Sequence, residues 1–230
     1  LRSKQDHFPY GVANSSKLVG KNFMNHNASA LLAINPFKKN NCQYQKTLAI
    51  NAFAKLDNVK GYPLGNIQLL GKVSDKMIKA NNKWIPQFLA SWIANHSVDW
   101  YVMSEDLPDH ENKIELDSNN KINLIWNRNN MQIHKALLKE TKIMLRKAGY
   151  PIILSQLFPK RTISHQCGTV RMGSNSDNSV LDEYCKSWEH ENLYVVDASF
   201  FPSSGILNPS LTIAAQAIRV ADHLSNKYKV

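Results

Sequence analysis

Leu193-Tyr194-Val195-Val196-Asp197-Ala198-Ser199 opens the stretch that decides the fold, and Asn208-Pro209-Ser210-Leu211-Thr212 closes it. The first four residues form a short continuous apolar run, the pattern of a strand buried on both faces. The run stops at an acid, Asp197. A loop, Phe200 to Leu207, leads to Asn208-Pro209, and a helix is expected beyond it with Ala214, Ala217, Ile218, Ala221 and Leu224 on its inner stripe. Pro209 restricts Asn208 to extended geometry and suits the first turn of that helix. Asn208 then stands at a helix N-terminus, where free N–H groups and the dipole favour negative charge. An ordinary helix cap reads the same way. Strand, loop and helix with an acid at the strand's carboxyl end is also how open α/β sheets present their ligand sites.

Just upstream lies Ser164-His165-Gln166-Cys167-Gly168-Thr169-Val170-Arg171-Met172-Gly173, polar and without helical or strand periodicity. A loop carrying a lone ionisable group is where catalysis tends to sit. With an ordinary pKa near 6.5, His165 can accept a proton at neutral pH. On the residues alone, a histidine satisfied by its structural neighbours is the commoner reading. His165 and Cys167 are two apart but no second pair with ligand spacing accompanies them, so no metal site is expected. Ser203 and Ser204 lack the GxSxG setting of a serine nucleophile.

Further outward the pattern changes. Short strand-like runs recur at Leu31–Ile34, Thr47–Phe53, Asn66–Leu70 and Val98–Met103, and Ile114–Leu116 and Lys121–Trp126 flank a turn-forming Asp117-Ser118-Asn119-Asn120. Six strands with tight links predict an antiparallel sheet. A helix is expected over Trp84–Ala94, with Phe88, Leu89, Trp92 and Ile93 on one stripe. A longer one places His134, Leu137, Leu138, Thr141, Leu145 and Ala148 on one face and stops at Gly149 and Pro151. Residues 1–26 are polar and broken by Pro9, Gly11 and Gly20. The fold class expected is α+β: an antiparallel, about six-stranded sheet with helices, followed by the carboxyl-terminal strand–loop–helix.

With 230 residues, 43% hydrophobic and 20% charged, the chain can bury a substantial core. No apolar window is long enough for a transmembrane segment. Three cysteines make no disulfide framework and point to a reducing, cytoplasmic setting. The net charge of +10 comes from lysines scattered among asparagines, as in Lys38-Lys39-Asn40-Asn41, so no specific nucleic-acid partner is expected.

Taken together, these segments resemble the carboxyl-terminal signature of the glucose-methanol-choline (GMC) flavin oxidoreductases. The matching pieces are His165 to Gly173, Val180-Leu181-Asp182, Asn192 to Pro202, Asn208 to Thr212 and the alanine-rich terminal helix. Leu18-Val-Gly-Lys-Asn-Phe-Met-Asn-His26 is similar to the family's segment at the entrance to its substrate domain. The resemblance implies an FAD-dependent alcohol oxidase or dehydrogenase acting on CH–OH donors. It implies His165 as the base that takes the hydroxyl proton while hydride passes to flavin N5, and Asn208 as the residue orienting the oxygen. It places Asp197 and Ala198 near the ribityl or pyrophosphate part of FAD, and Asn208, Pro209 and Thr212 near the isoalloxazine ring. Trp100 or Tyr101, not both, would line the pocket, although core packing is the commoner role for each.

The resemblance also implies a division into a leading segment 1–26, a substrate-binding domain 27–160, and a catalytic loop with returning strand and helix at 161–230. The last segment would complete a Rossmann-like FAD domain. None of the nine glycines are spaced as GxGxxG, so the ADP-binding half of the site is absent from this chain. The implied partners are therefore a missing amino-terminal FAD-binding half and a small-molecule alcohol, and the chain alone is expected to be inactive. The competing reading is a non-catalytic subunit or binding module that keeps the fold without the chemistry.

Overall fold

The computed structural model describes residues 1–43, 46–54, 63–162 and 164–228. In chain order its elements are β1 (Asn27–Ile34), β2 (Ala49–Ile50), β3 (Asn66–Leu69), α1 (Asp75–Asn81), α2 (Gln87–His96), β4 (Ser97–Ser104), β5 (Lys113–Leu116), β6 (Ile122–Ile125), α3 (Met131–Lys147), β7 (Ile152–Leu157) and α4 (Ser210–Tyr228). One compact unit joins residues 27–104 and 130–162; a second joins 1–26, 105–129 and 163–230. The stretch 27–160 is thus not one unit, because residues 105–129 leave it to pack with the chain's two ends. The class is α+β as expected, but the strands divide into a five-stranded sheet and a separate hairpin rather than one six-stranded sheet.

In the first unit the order is β2-β3-β4-β1-β7, every neighbouring pair antiparallel. Leu31 opposes Trp100 and Ser29 opposes Val102. Period-2 alternation puts Leu31, Ala33, Trp100 and Val102 into one core with Ile67, Leu69 and the α3 residues Ile133, Leu137 and Leu145. Trp100 is therefore a core residue, and Tyr101, on the alternate face, packs its ring against Phe158 at 5.7 Å. His134 lies on the expected inner face of α3, fully buried. Its ring is satisfied by Ser29 Oγ at 2.8 Å and Ser104 Oγ at 2.9 Å, which offsets the cost of burying it.

The end of α3 follows the local chemistry. Gly149 takes φ +92°, and Gly149 N–H and Tyr150 N–H donate to the carbonyls of Arg146 and Leu145, closing a Schellman motif. A separate cluster joins Ile34 with Ile78 of α1, Ile85, and Ala90, Ile93 and Ala94 of α2. Phe88, expected on the buried stripe of α2, is 76% exposed, because the helix is apolar on more than one face and turns Ala90, Ile93 and Ala94 inward instead. Residues 47–53 shorten to the two-residue β2, and β7 and α1 carried no distinct local signal.

In the second unit the hairpin β5–β6 turns where expected. Asp117 Oδ1 accepts from Asn119 N–H (2.8 Å) and Lys121 N–H (2.9 Å), and Asn120 adopts φ +57°. The core gathers Leu18, Met24, Cys167, Leu181, Cys185, Phe200, Phe201 and Val220. Leu193–Val196 is not a strand. It is a half-buried extended segment whose pairing is limited to the 185–187 stretch, through Ser187 N–H to Leu193 C=O and Val195 N–H to Cys185 C=O. A fully buried strand draws hydrogen bonds from neighbours on both edges, and the described residues supply this only in part.

The terminal helix α4 forms as expected but turns a different face inward. Ile213, Val220 and Leu224 meet the core, whereas Ile218 is 63% exposed and Ala214 and Ala221 are exposed. The helix is apolar on two sides, so periodicity alone did not select between them.

Candidate active site

Three backbone hydrogen bonds anchor the His165 loop from one side: Gly168 N–H to Ala198 C=O, Val170 N–H to Ser199 C=O, and Met172 N–H to Phe200 C=O. From the other side the leading segment threads past it, with Met24 N–H and Cys167 C=O at 2.9 Å and the reciprocal pair at 3.0 Å. The fit there is tight. Gly168 holds φ +91°, and a Cβ at that position would stand 2.4 Å from Asn22 O and 2.4 Å from the Met24 methyl.

This threading delivers Asn25 and His26 to the loop. His165 N–H donates to Asn25 Oδ1 at 3.0 Å, and Asn25 N–H donates to Asp106 Oδ2 at 3.2 Å. Asp106 is fully buried and also accepts from Trp126 Nε1 at 3.0 Å and Asn129 N–H at 3.4 Å, while its backbone N–H donates to Ser204 Oγ at 2.8 Å. Burial pushes its carboxyl up to about 6 against these hydrogen bonds, which favour the ionised form. One buried aspartate thus ties three segments together: its carboxylate holds Asn25, beside His26, and Trp126, and its backbone holds Ser204.

The imidazole of His165 is half-buried between two partners. Its Nδ1 lies 3.1 Å from Nδ1 of His26, the rings nearly perpendicular at 88°, and its Nε2 lies 3.3 Å from Asn208 Nδ2. His26 is 3% exposed; burial, helped by the charge His165 can carry, lowers its pKa to about 4. Asn208 is exposed at the start of α4. The first backbone bond of the helix is Ile213 N–H to Pro209 C=O, so the N–H groups of Ser210, Leu211 and Thr212 precede any intrahelical acceptor.

The structure therefore brings His165 and Asn208 together, 43 residues apart in sequence, with Pro209 and Thr212 on the adjoining turn. Ala198 meets the same loop through its carbonyl. Asp197 is exposed and caps the single helical turn Ala198–Phe200, its Oδ1 accepting from Ser199 N–H (2.7 Å) and Ser199 Oγ (2.5 Å). Sequence reasoning missed His26 as a neighbour of His165. The available signal was its place at the end of the Leu18–His26 segment, but nothing local marks a contact 139 residues away.

A sequence model of the GMC oxidoreductase family matches residues 108–217, which include His165 and Asn208. That match to the carboxyl-terminal domain of the GMC oxidoreductases takes in just under half of the chain. It is 27% identical to 2-methyl-1,2-propanediol dehydrogenase of Mycolicibacterium austroafricanum, over 99% of this chain and 45% of that protein. It is 26% identical to the fructose dehydrogenase large subunit of Gluconobacter japonicus, over 100% of this chain and 45% of that protein. The chain thus spans under half the length of these relatives. In fold it is similar to formate oxidase of Aspergillus oryzae, with a TM-score of 0.60 and 15% identity over 93% of this chain and 48% of that one. Among the described residues no helix is long and apolar enough to cross a membrane.

Proposed function

We propose that this GMC chain is the substrate-side and catalytic part of an FAD-dependent alcohol oxidoreductase, with His165 as the base. The observation that carries the reading is the 3.3 Å approach of His165 Nε2 to Asn208 Nδ2 at the exposed start of α4. A proton acceptor and a hydrogen-bond donor side by side are what removal of a proton from an alcohol needs. The outer face of α4 supports a further part of the protein: Leu211 (82% exposed), Ala214, Ala215, Ile218 and Ala221 form an apolar stripe with no cover among the described residues.

The donors present fit the redox end of FAD rather than its phosphates. The first-turn N–H groups of α4 and the Asn208 carboxamide suit the carbonyl edge of a flavin ring, and no glycine cradle for phosphates exists in the chain. Asn208, Pro209 and Thr212 would hold the ring. Ala198 and the second oxygen of Asp197 would face the ribityl or pyrophosphate part. When bound, FAD supplies the acceptor for the hydride. The chain's own residues do the rest. His165 Nε2 takes the hydroxyl proton, Asn208 donates to the oxygen as its charge grows, and the positive end of α4 favours negative charge beside it.

Two experiments test this. FAD titrated into the purified 230-residue chain is expected to bind weakly, because the phosphate cradle is missing; a stoichiometric yellow complex at micromolar concentration contradicts that part. Anaerobic mixing of the full-length protein with a panel of primary, secondary and sugar alcohols is expected to bleach its oxidised-flavin absorbance with at least one of them. Failure of all of them, with bleaching by dithionite intact, rejects an alcohol as the electron donor.

A further inference from the structure

We infer that His26 is a positioning residue that fixes the tautomer of His165 and thereby leaves the Nε2 lone pair facing the substrate oxygen. The inference rests on His165 being the base, but its test does not. Two ring nitrogens 3.1 Å apart, His165 Nδ1 and His26 Nδ1, share one proton. The direction follows from the far side of His165, where Nδ2 of Asn208 lies 3.3 Å from Nε2. A carboxamide nitrogen only donates, so Nε2 accepts and the proton of neutral His165 sits on Nδ1, donated to His26.

His26 is suited to that job. Its ring is buried and held uncharged at neutral pH, so its Nδ1 keeps a lone pair for His165. Its own proton is then on Nε2. The backbone of Ser204 and Gly205 favours the protonated ring, although Nε2 closes no well-formed hydrogen bond among the described residues. Asn25 completes the arrangement by holding the His165 backbone N–H at 3.0 Å.

The consequence is chemical. An isolated histidine prefers its proton on Nε2, and in that form the ring would present N–H, not a lone pair, to an incoming hydroxyl. The hydrogen bond at one ring nitrogen decides which atom is the base at the other. His26 acts through His165 and does not itself touch the substrate.

The test is long-range proton–nitrogen NMR on the full-length protein carrying isotopically labelled histidine. In the wild type, His165 is expected as the Nδ1–H tautomer. His26→Phe removes the acceptor at Nδ1; the exposed Asn208 carboxamide can then turn its oxygen to an Nε2–H, so the proton should move to Nε2, with kcat falling about 10–100-fold while KM stays within about two-fold. His26→Asn places an amide oxygen near the position of the lost Nδ1 and should retain the Nδ1–H form and most of kcat. A wild-type His165 carrying its proton on Nε2 overturns the inference without any variant. So does a His26→Phe protein that keeps the Nδ1–H form. Normal turnover after loss of the His165 ring, with the tautomer as expected, instead defeats the base assignment and leaves the role of His26 standing.

Discussion

If His165 is the base of the proposed alcohol oxidation, replacing it by glutamine in the full-length protein is expected to lower kcat/KM for an alcohol donor by about 10²–10⁴-fold, equivalent to roughly 3–5 kcal/mol of barrier. Glutamine is chosen because its amide can still meet Asn208 Nδ2, which lies 3.3 Å from the imidazole. What it cannot do is take up a proton. A loss of size or of the hydrogen bond is thereby separated from loss of the base. The deficit should appear in the anaerobic rate of flavin reduction as well as in turnover, because proton removal precedes or accompanies hydride departure. A glutamine variant reduced at the wild-type rate would exclude His165 as the base.

The second large effect concerns stability and pH. His26 and Asp106 are displaced in opposite directions, His26 from 6.5 to about 4 and the Asp106 carboxyl from 3.8 to about 6. Each displacement corresponds to about 3 kcal/mol at its limit. As pH falls from 6.5 towards 4, the unfolded chain protonates the His26 ring while the folded one resists, so this group removes stability. As pH falls from 6 towards 3.8, the folded protein protonates Asp106 before the unfolded chain does, so that group adds stability. Across roughly pH 4–6 the two contributions cancel.

Single variants should expose the balance. Asp106→Asn is expected to lose about 3 kcal/mol more than the wild type on acidification through this window. His26→Asn is expected to gain about as much relative to the wild type, and the double variant to return to the wild-type slope. Urea unfolding at a series of pH values measures all four proteins, and the remaining titrations cancel in the comparison. Single variants that keep the wild-type slope would show that neither burial displaces its group as described.

The stop of α3 at Gly149, the Asp117–Asn120 turn and the Asn208-Pro209 start of α4 were each legible because their energies are local. A left-handed glycine, an aspartate accepting from the next backbone N–H groups, and a proline in a first helical turn need no distant partner. His165 and Asn208 were legible through an ordered motif, whose resemblance implied that the two would face the same substrate oxygen. The failures share a cause too. Phe88 and Ile218 were expected inside and lie outside, because α2 and α4 carry apolar residues on more than one face. Leu193–Val196 read as a buried strand, but apolar content states only that a segment seeks cover, not which edges will supply its hydrogen bonds.

By itself the sequence determined the turn at Asp117–Asn120, the stop of α3, the start of α4 and which side chains are chemically able to move a proton. Those properties depend on a residue and its nearest neighbours along the backbone. Only the tertiary structure decided that His26 would meet His165, that Asp106 would be buried beneath both segments, and which face of α4 would turn inward. Each is a contest among alternative burials, settled by the sum of many contacts between residues far apart in the chain.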